Sequence, residues 1–183
     1  MLDFILLFLI IQSSVVSRPF EDDNKLLSLI LAEDYPDNGY TVVQSKTTLY
    51  DVTEDFVIFD PLATSNNNGR RLLRALIEKN RESKALTIAS NPSKGYVIDK
   101  DDQFSKYFIA NGGGWDKLYK ENPKVRGLTA VSLPVYDRQT GLVLVYKSFS
   151  QDYLAGQGDL ILYLFDESNG SLKEISRRNL WVS

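Results

Sequence analysis

After Pro123 the chain reads as strand upon strand. "GLTAVSLPVYD", "GLVLVYKSFS" and "DLILYLFDE" are three runs rich in Val, Leu, Tyr and Phe, joined by the short links "RQT" and "YLAGQG". "SLKEI" and "LWVS" carry the pattern to the last residue. Links this short suit antiparallel neighbours, so the C-terminal part is expected to be a β-meander. Pro134 lies inside the first run, which places that run at a sheet edge or a bulge because Pro cannot donate to a ladder.

Helices dominate before Pro123. Asp22 or Asp23 can cap a helix in which Leu26 pairs with Ile30 and Leu27 with Leu31, and Pro36 forbids its continuation. "SNNNG" at 65–69 is turn chemistry and a natural start for a second helix, with Leu72, Leu73, Leu76 and Ile77 on one face and Arg and Glu on the other. Asp101 or Asp102 is expected to begin a short helix bearing Phe104, Tyr107 and Phe108, stopped at "NGGG". Trp115, Leu118 and Tyr119 then stand at helical spacing up to Asn122-Pro123. Between these, "YTVVQSKTTLYD" reads as a strand from about Tyr40 and "DFVIFD" at 55–60 as a second strand or short buried segment. "ALTIAS" is a brief strand or the end of the second helix.

Helices first and strands last define the α+β class. With 183 residues the chain is long enough for one core and short for two. The expected architecture is a single domain: an antiparallel sheet with a C-terminal meander, and three or four helices packed on one face.

The first residues bear on location. "FILLFLII", Phe4 to Ile11, is far shorter than the roughly 20 residues that cross a bilayer as a helix. It matches the apolar core of a signal peptide, with Val15 and Ser17 at the −3 and −1 places of a cleavage site, although "MLD" before it lacks a base. The reading is therefore a signal peptide at 1–17 and a single exported α+β domain at 18–183, soluble and secreted or periplasmic. Removing the leader takes away Asp3 and no base, so the formal charge moves from −3 to −2. Such a balance gives no drive toward nucleic acid or an anionic membrane surface, and Arg70, Arg71, Arg74, Lys79 and Arg81 read as a solvated helix face. The chain is cysteine-free, so an exported form rests on its core rather than on disulfides, as suits a bacterial envelope protein.

Chemistry is bounded by what is missing. With no His and no Cys, catalysis by Ser-His-Asp or Cys-His is excluded, and so is an ordinary structural zinc site. Acids abound, among them Asp51, Glu54, Asp55, Asp60, Asp99, Asp101 and Asp102, but no spacing marks out a catalytic pair. "DKDDQ" at 99–103 lacks the central Gly and distant Glu of a calcium loop and reads as an acidic helix start. No cofactor motif is found. "GQGD", Gly156 to Asp159, is followed by a strand rather than a helix, so these are structural glycines supplying positive φ or a bulge, not a phosphate cradle. Asn169-Gly170-Ser171 is formally a glycosylation acceptor, yet "NG" between two strands reads as a tight turn. Trp115, Tyr119 and Trp181 are the candidate binding residues, and the place expected for a ligand is where the helix carrying Trp115 meets the sheet. Two function classes follow: a non-enzymatic binding or interaction module for a small molecule, glycan or protein, and, as the alternative, a carboxylate-dependent hydrolase acting on a glycan.

"GGWDKLYKENPKVRGLTAVSLPVYD", "GLVLVYKSFSQDYLAGQGDLILYLF" and "NGSLKEISRRNLWVS" together resemble the C-terminal half of a family of uncharacterised exported proteins, mostly bacterial. The pattern is a Gly-Trp opening a short helix, an "LS" strand, a G-x-G loop and a closing Trp-(Ile/Val)-Ser, over about residues 113–183. The chain departs from it at Pro134-Val135-Tyr136, where Gly-Phe is usual, and at Gly170-Ser171-Leu172, where Gly-x-Trp is common. The resemblance implies export and an α+β fold, and brings no catalytic residue with it.

Overall fold

The β-run after Pro123 folds as expected into the backbone of the molecule, which is described here from a computed structural model covering residues 21–32, 39–50, 52–53 and 67–183. The proposed leader, "DFVIFD", Pro36 and the start of "SNNNG" lie outside the described residues. Strands β1 (Tyr40–Val43), β2 (Tyr96–Ile98), β3 (Val125–Val131), β4 (Val135–Asp137), β5 (Leu142–Asp152), β6 (Ala155–Asp166) and β7 (Ser171–Val182) form one sheet. Their order is β2-β1-β3-β5-β6-β7, with β4 also paired to β5. Helices are α1 (Glu21–Ala32), α2 (Asn67–Lys79) and α3 (Gly114–Glu121).

The class is α+β, with the C-terminal meander in place: β5, β6 and β7 are consecutive antiparallel neighbours. Two details differ from the expectation. The sheet is mixed, since β1 runs parallel to both β2 and β3. The helices lie on both faces rather than one. Along β5, Val143 and Val145 pack in the cluster of Leu26, Leu27, Ile30 and Leu31 of α1. Leu142, Leu144 and Tyr146, pointing the other way, pack with Leu72, Leu73 and Leu76 of α2. The physical reason is visible in the sequence: "LVLVY" is apolar at every position, and a strand without polar alternation needs cover on both sides. A third cluster, on the α2 side, joins Trp115 and Leu118 of α3 to Val42, Phe104, Tyr107 and Val125.

Smaller features follow from local chemistry. Pro134 falls between β3 and β4, which both pair with β5 and form one interrupted strand; β4 is the edge piece. "ALTIAS" is neither strand nor helix: Ala85 makes an isolated bridge with Lys46 outside the sheet, Leu86 and Ile88 pack into the core on the α1 side, and the Ser90 hydroxyl accepts the Ile98 amide of β2 at 2.9 Å. The segment after β2 is not the helix expected from Asp101 or Asp102 but two 3₁₀ turns, Lys100–Asp102 and Ser105–Phe108. Asp99 precedes the first turn and fastens the second, its carboxylate accepting the Phe104 and Ser105 amides at 2.9 Å each. Asp101 and Asp102 both have positive φ, which breaks any regular helix there. "NG" does make the turn of the β6–β7 hairpin, with Gly170 at φ 70° and its amide bonded to the Asp166 carbonyl.

Candidate functional site

The site is built where the sheet splits. Strands β3 and β5 are paired as far as Leu128 opposite Ser150, and beyond that pair they part. Two residues further along each strand stand Arg126 and Asp152. The β5–β6 ladder carries a register shift between Ser150 and Asp152, just short of its last pair, Asp152 with Ala155. A cleft of about 440 Å³ lies there, lined by Arg126 of β3, Gln151 and Asp152 of β5 and Tyr119 of α3. Pro123, Val125 and Ala155 supply its apolar lining.

Helix α3 holds the aromatic part rigid. Trp115 is only 6% exposed and stacks on Tyr119, ring centroids 5.7 Å apart and planes 27° apart. Phe108 meets the indole edge-on at 4.8 Å. The Tyr119 hydroxyl donates to the Gln151 carbonyl at 2.6 Å, fixing the base of the hairpin to the helix. A second fastening lies at the other end of α3, where Gly114, at φ 61°, leaves the space that the Tyr153 hydroxyl fills. No residue with a side chain combines that backbone with that contact. Desolvation and then the nearby Asp152 charge push the Tyr119 phenol above its ordinary range, against a smaller opposing effect of Arg126. It therefore stays protonated and remains a hydrogen-bond donor.

The three residues singled out from sequence are placed differently. Tyr119 lines the cleft, Trp115 lies beneath it as support, and Trp181 lies outside the lining. Trp181 is half-buried on β7, covers Gly158, and donates its indole N–H to the Tyr146 hydroxyl at 3.1 Å. Gly156 and Gly158 sit inside β6, neither with positive φ. What surrounds them is close approach, since a Cβ on Gly158 would overlap the Trp181 ring, and a register shift between Gly158 and Asp159. Arg126, Gln151 and Asp152 were not distinguished by sequence. They lie 25 or more positions apart across the split, and only the divergence of two strands brings them together.

Carboxylates are sparse where a ligand would sit. Among the described residues the cleft of about 440 Å³ contains one, Asp152, and two smaller clefts of about 260 and 320 Å³ contain one each, Glu167 and Glu121. The buried acids are committed elsewhere: Asp23 to Lys79, Asp137 to Arg71, Asp159 to Arg177 and Asn179, and Asp99 to backbone amides. Among the described residues no group of three acids is placed to hold a metal ion, and no helix is long and apolar enough to cross a membrane. Comparison with protein families, with curated proteins and with solved structures finds no match for this chain.

Proposed function

We propose that the chain is an exported, non-enzymatic binding or interaction domain whose ligand is received in the cleft between α3 and the split of β3 and β5. The observation that carries this reading is the cleft's composition among the described residues: Tyr119, braced by its stack on Trp115, and three polar side chains, with a single carboxylate. Glycoside hydrolysis needs two carboxyl groups, about 5–5.5 Å apart for retention or 6.5–9.5 Å for inversion. Binding needs only the preorganised surface, and the stack of Trp115 on Tyr119 supplies it. Export rests on the apolar run Phe4–Ile11 with its small-residue cleavage site, and on the resemblance of residues 113–183 to exported proteins.

A thermal-shift screen on the full chain tests the reading. A ligand that raises the melting temperature of wild type should fail to do so for Ala155→Phe, which fills the cleft from its apolar side. An undiminished shift in that variant places the ligand elsewhere, and turnover of a glycan by the full chain replaces the reading with the hydrolase.

A further inference from the structure

We infer that the protein carries a second binding site, on the α1 side of the sheet, for a trimethylammonium group, and that its own Lys25 fills the place of that group here. The site is the cleft of about 260 Å³ lined by Lys25, Leu26, Tyr136, Phe165 and Glu167. It is separate from the cleft at α3: Phe165 and Tyr136 pack in the cluster of α1, whereas Tyr119 packs with Trp115 and Leu118. The inference goes beyond the function proposed above and does not depend on it.

Three parts of the fold meet at this cleft. Phe165 comes from the end of β6 and is buried in the core on the α1 side. Tyr136, from β4, meets it edge to face, with ring centroids 5.6 Å apart and planes at 85°. The Tyr136 hydroxyl donates to Glu167 Oε1 at 2.7 Å, which ties that ring to the β6–β7 turn and brings an exposed carboxylate to the cleft. Lys25 reaches in from α1, and its Nζ stands over the face of Phe165, 5.3 Å from the ring centroid. Although Glu167 lines the same cleft, Lys25 and Glu167 form no ion pair among the described residues. The cation is thus held by the ring, and the carboxylate adds a longer-range attraction.

A face of this kind suits a softer cation than that of lysine. A primary ammonium is strongly hydrated and has three N–H donors, which a ring and a leucine do not satisfy. A trimethylammonium group has no donor at all. It spreads its charge over methyl groups that pack on apolar surface and are drawn to the negative face of an aromatic ring. Phe165 and Leu26 offer that surface, the proton of the Tyr136 hydroxyl is engaged by Glu167, and the carboxylate supplies the opposite charge. The volume lies just under the about 300–1,000 Å³ of sites for whole drug-sized ligands, which fits a head group rather than an extended molecule. Because Lys25 is tethered beside the ring, it competes with any free cation as an intramolecular ligand. Removing it should therefore strengthen cation binding, an effect that a contact serving the fold alone would not show.

The test is titration of the isotopically labelled full chain and of its Lys25→Ala variant with choline, followed by amide NMR, with 3,3-dimethylbutanol as the uncharged molecule of the same shape. Choline should move the amides of Leu26, Phe165 and Glu167. Its affinity should be about fivefold or more higher for Lys25→Ala than for wild type, and about tenfold or more above that of dimethylbutanol. Phe165→Leu keeps an apolar side chain and removes the aromatic face, and Glu167→Gln keeps an acceptor for Tyr136 and removes the charge. Each should weaken choline about threefold or more. Thermal melts show whether the variants fold, and Glu167→Gln, at an exposed position, decides the matter if Phe165→Leu does not. Acetylated trimethyl-lysine amide, titrated alongside, separates a modified protein side chain from a small trimethylammonium compound as the source, according to which binds tighter. Equal shifts with dimethylbutanol would make this an apolar pocket, and no shift in Lys25→Ala would leave Lys25 on Phe165 as a contact of the fold. Either result overturns the assignment, and neither bears on the cleft at α3.

Discussion

The indole of Trp181 occupies the space that a side chain on Gly158 would need, and its N–H donates to the Tyr146 hydroxyl 3.1 Å away. These two residues are direct partners in the β6–β7 ladder. Gly158→Ala should therefore cost on the order of 1–3 kcal/mol in urea unfolding, the usual range for an overpacked site. The cause is steric rather than conformational, since the φ of Gly158 is not positive. In a Trp181→Ala background the same substitution should cost clearly less, and additive effects in that double-mutant cycle would show that the indole is not the obstacle.

Asp99 holds the turn that follows β2. Its carboxylate accepts the Phe104 and Ser105 amides and the Ser105 hydroxyl, while 97% of its surface is out of solvent. Asp99→Ala leaves two amides without an acceptor and should destabilise by about 2 kcal/mol. Hydrogen exchange should rise first at Phe104 and Ser105, and unchanged exchange there would remove Asp99 from this role.

Acid should loosen the β6–β7 turn. The Asp166 carboxyl is held below its ordinary range by the Ser168 hydroxyl and amide, with Asn169 adding to them. A depressed carboxyl contributes stability that is present above the unfolded value, about 3.9, and is lost as the pH falls through the folded one. Asp166→Asn should flatten the acid limb of the stability profile, read as melting temperature against pH. An identical acid limb in wild type and variant would contradict this.

Alkali should act at the cleft. The Tyr119 phenol is raised, chiefly by desolvation, so the folded state favours its protonated form. Its contribution is full below about pH 10 and is lost as the pH rises through that range, because the unfolded chain ionises first. Tyr119→Phe should remove this alkaline loss and, with the bond to Gln151 gone, free the hairpin base. Ultraviolet titration of phenolate in wild type and variant measures it directly.

Processing is checked by mass. Intact-mass measurement of the protein recovered from its producing cells should give a chain beginning at Arg18, after Ser17. A mass retaining Met1 would mean that Phe4–Ile11 is not a leader.

The sequence by itself determined the class, the meander and the limits on chemistry. Strand runs with short links leave antiparallel pairing as the local solution, and the absence of His and Cys is a fact of composition. It also marked the ingredients of two-sided cover, because "LVLVY" carries no polar face, though which helix covers which side depends on where α1 and α2 return to the sheet. Only the tertiary structure decided the site. Trp115 and Tyr119 share a helix and could be named from their spacing, but helical spacing does not tell which ring is buried and which lines a cleft. Arg126 and Asp152 line one cleft because the β3–β5 pairing ends at Leu128 and Ser150, and Trp181 stands apart from it, covering Gly158. Local propensities act over a few residues, whereas a cleft is made by where separate strands part.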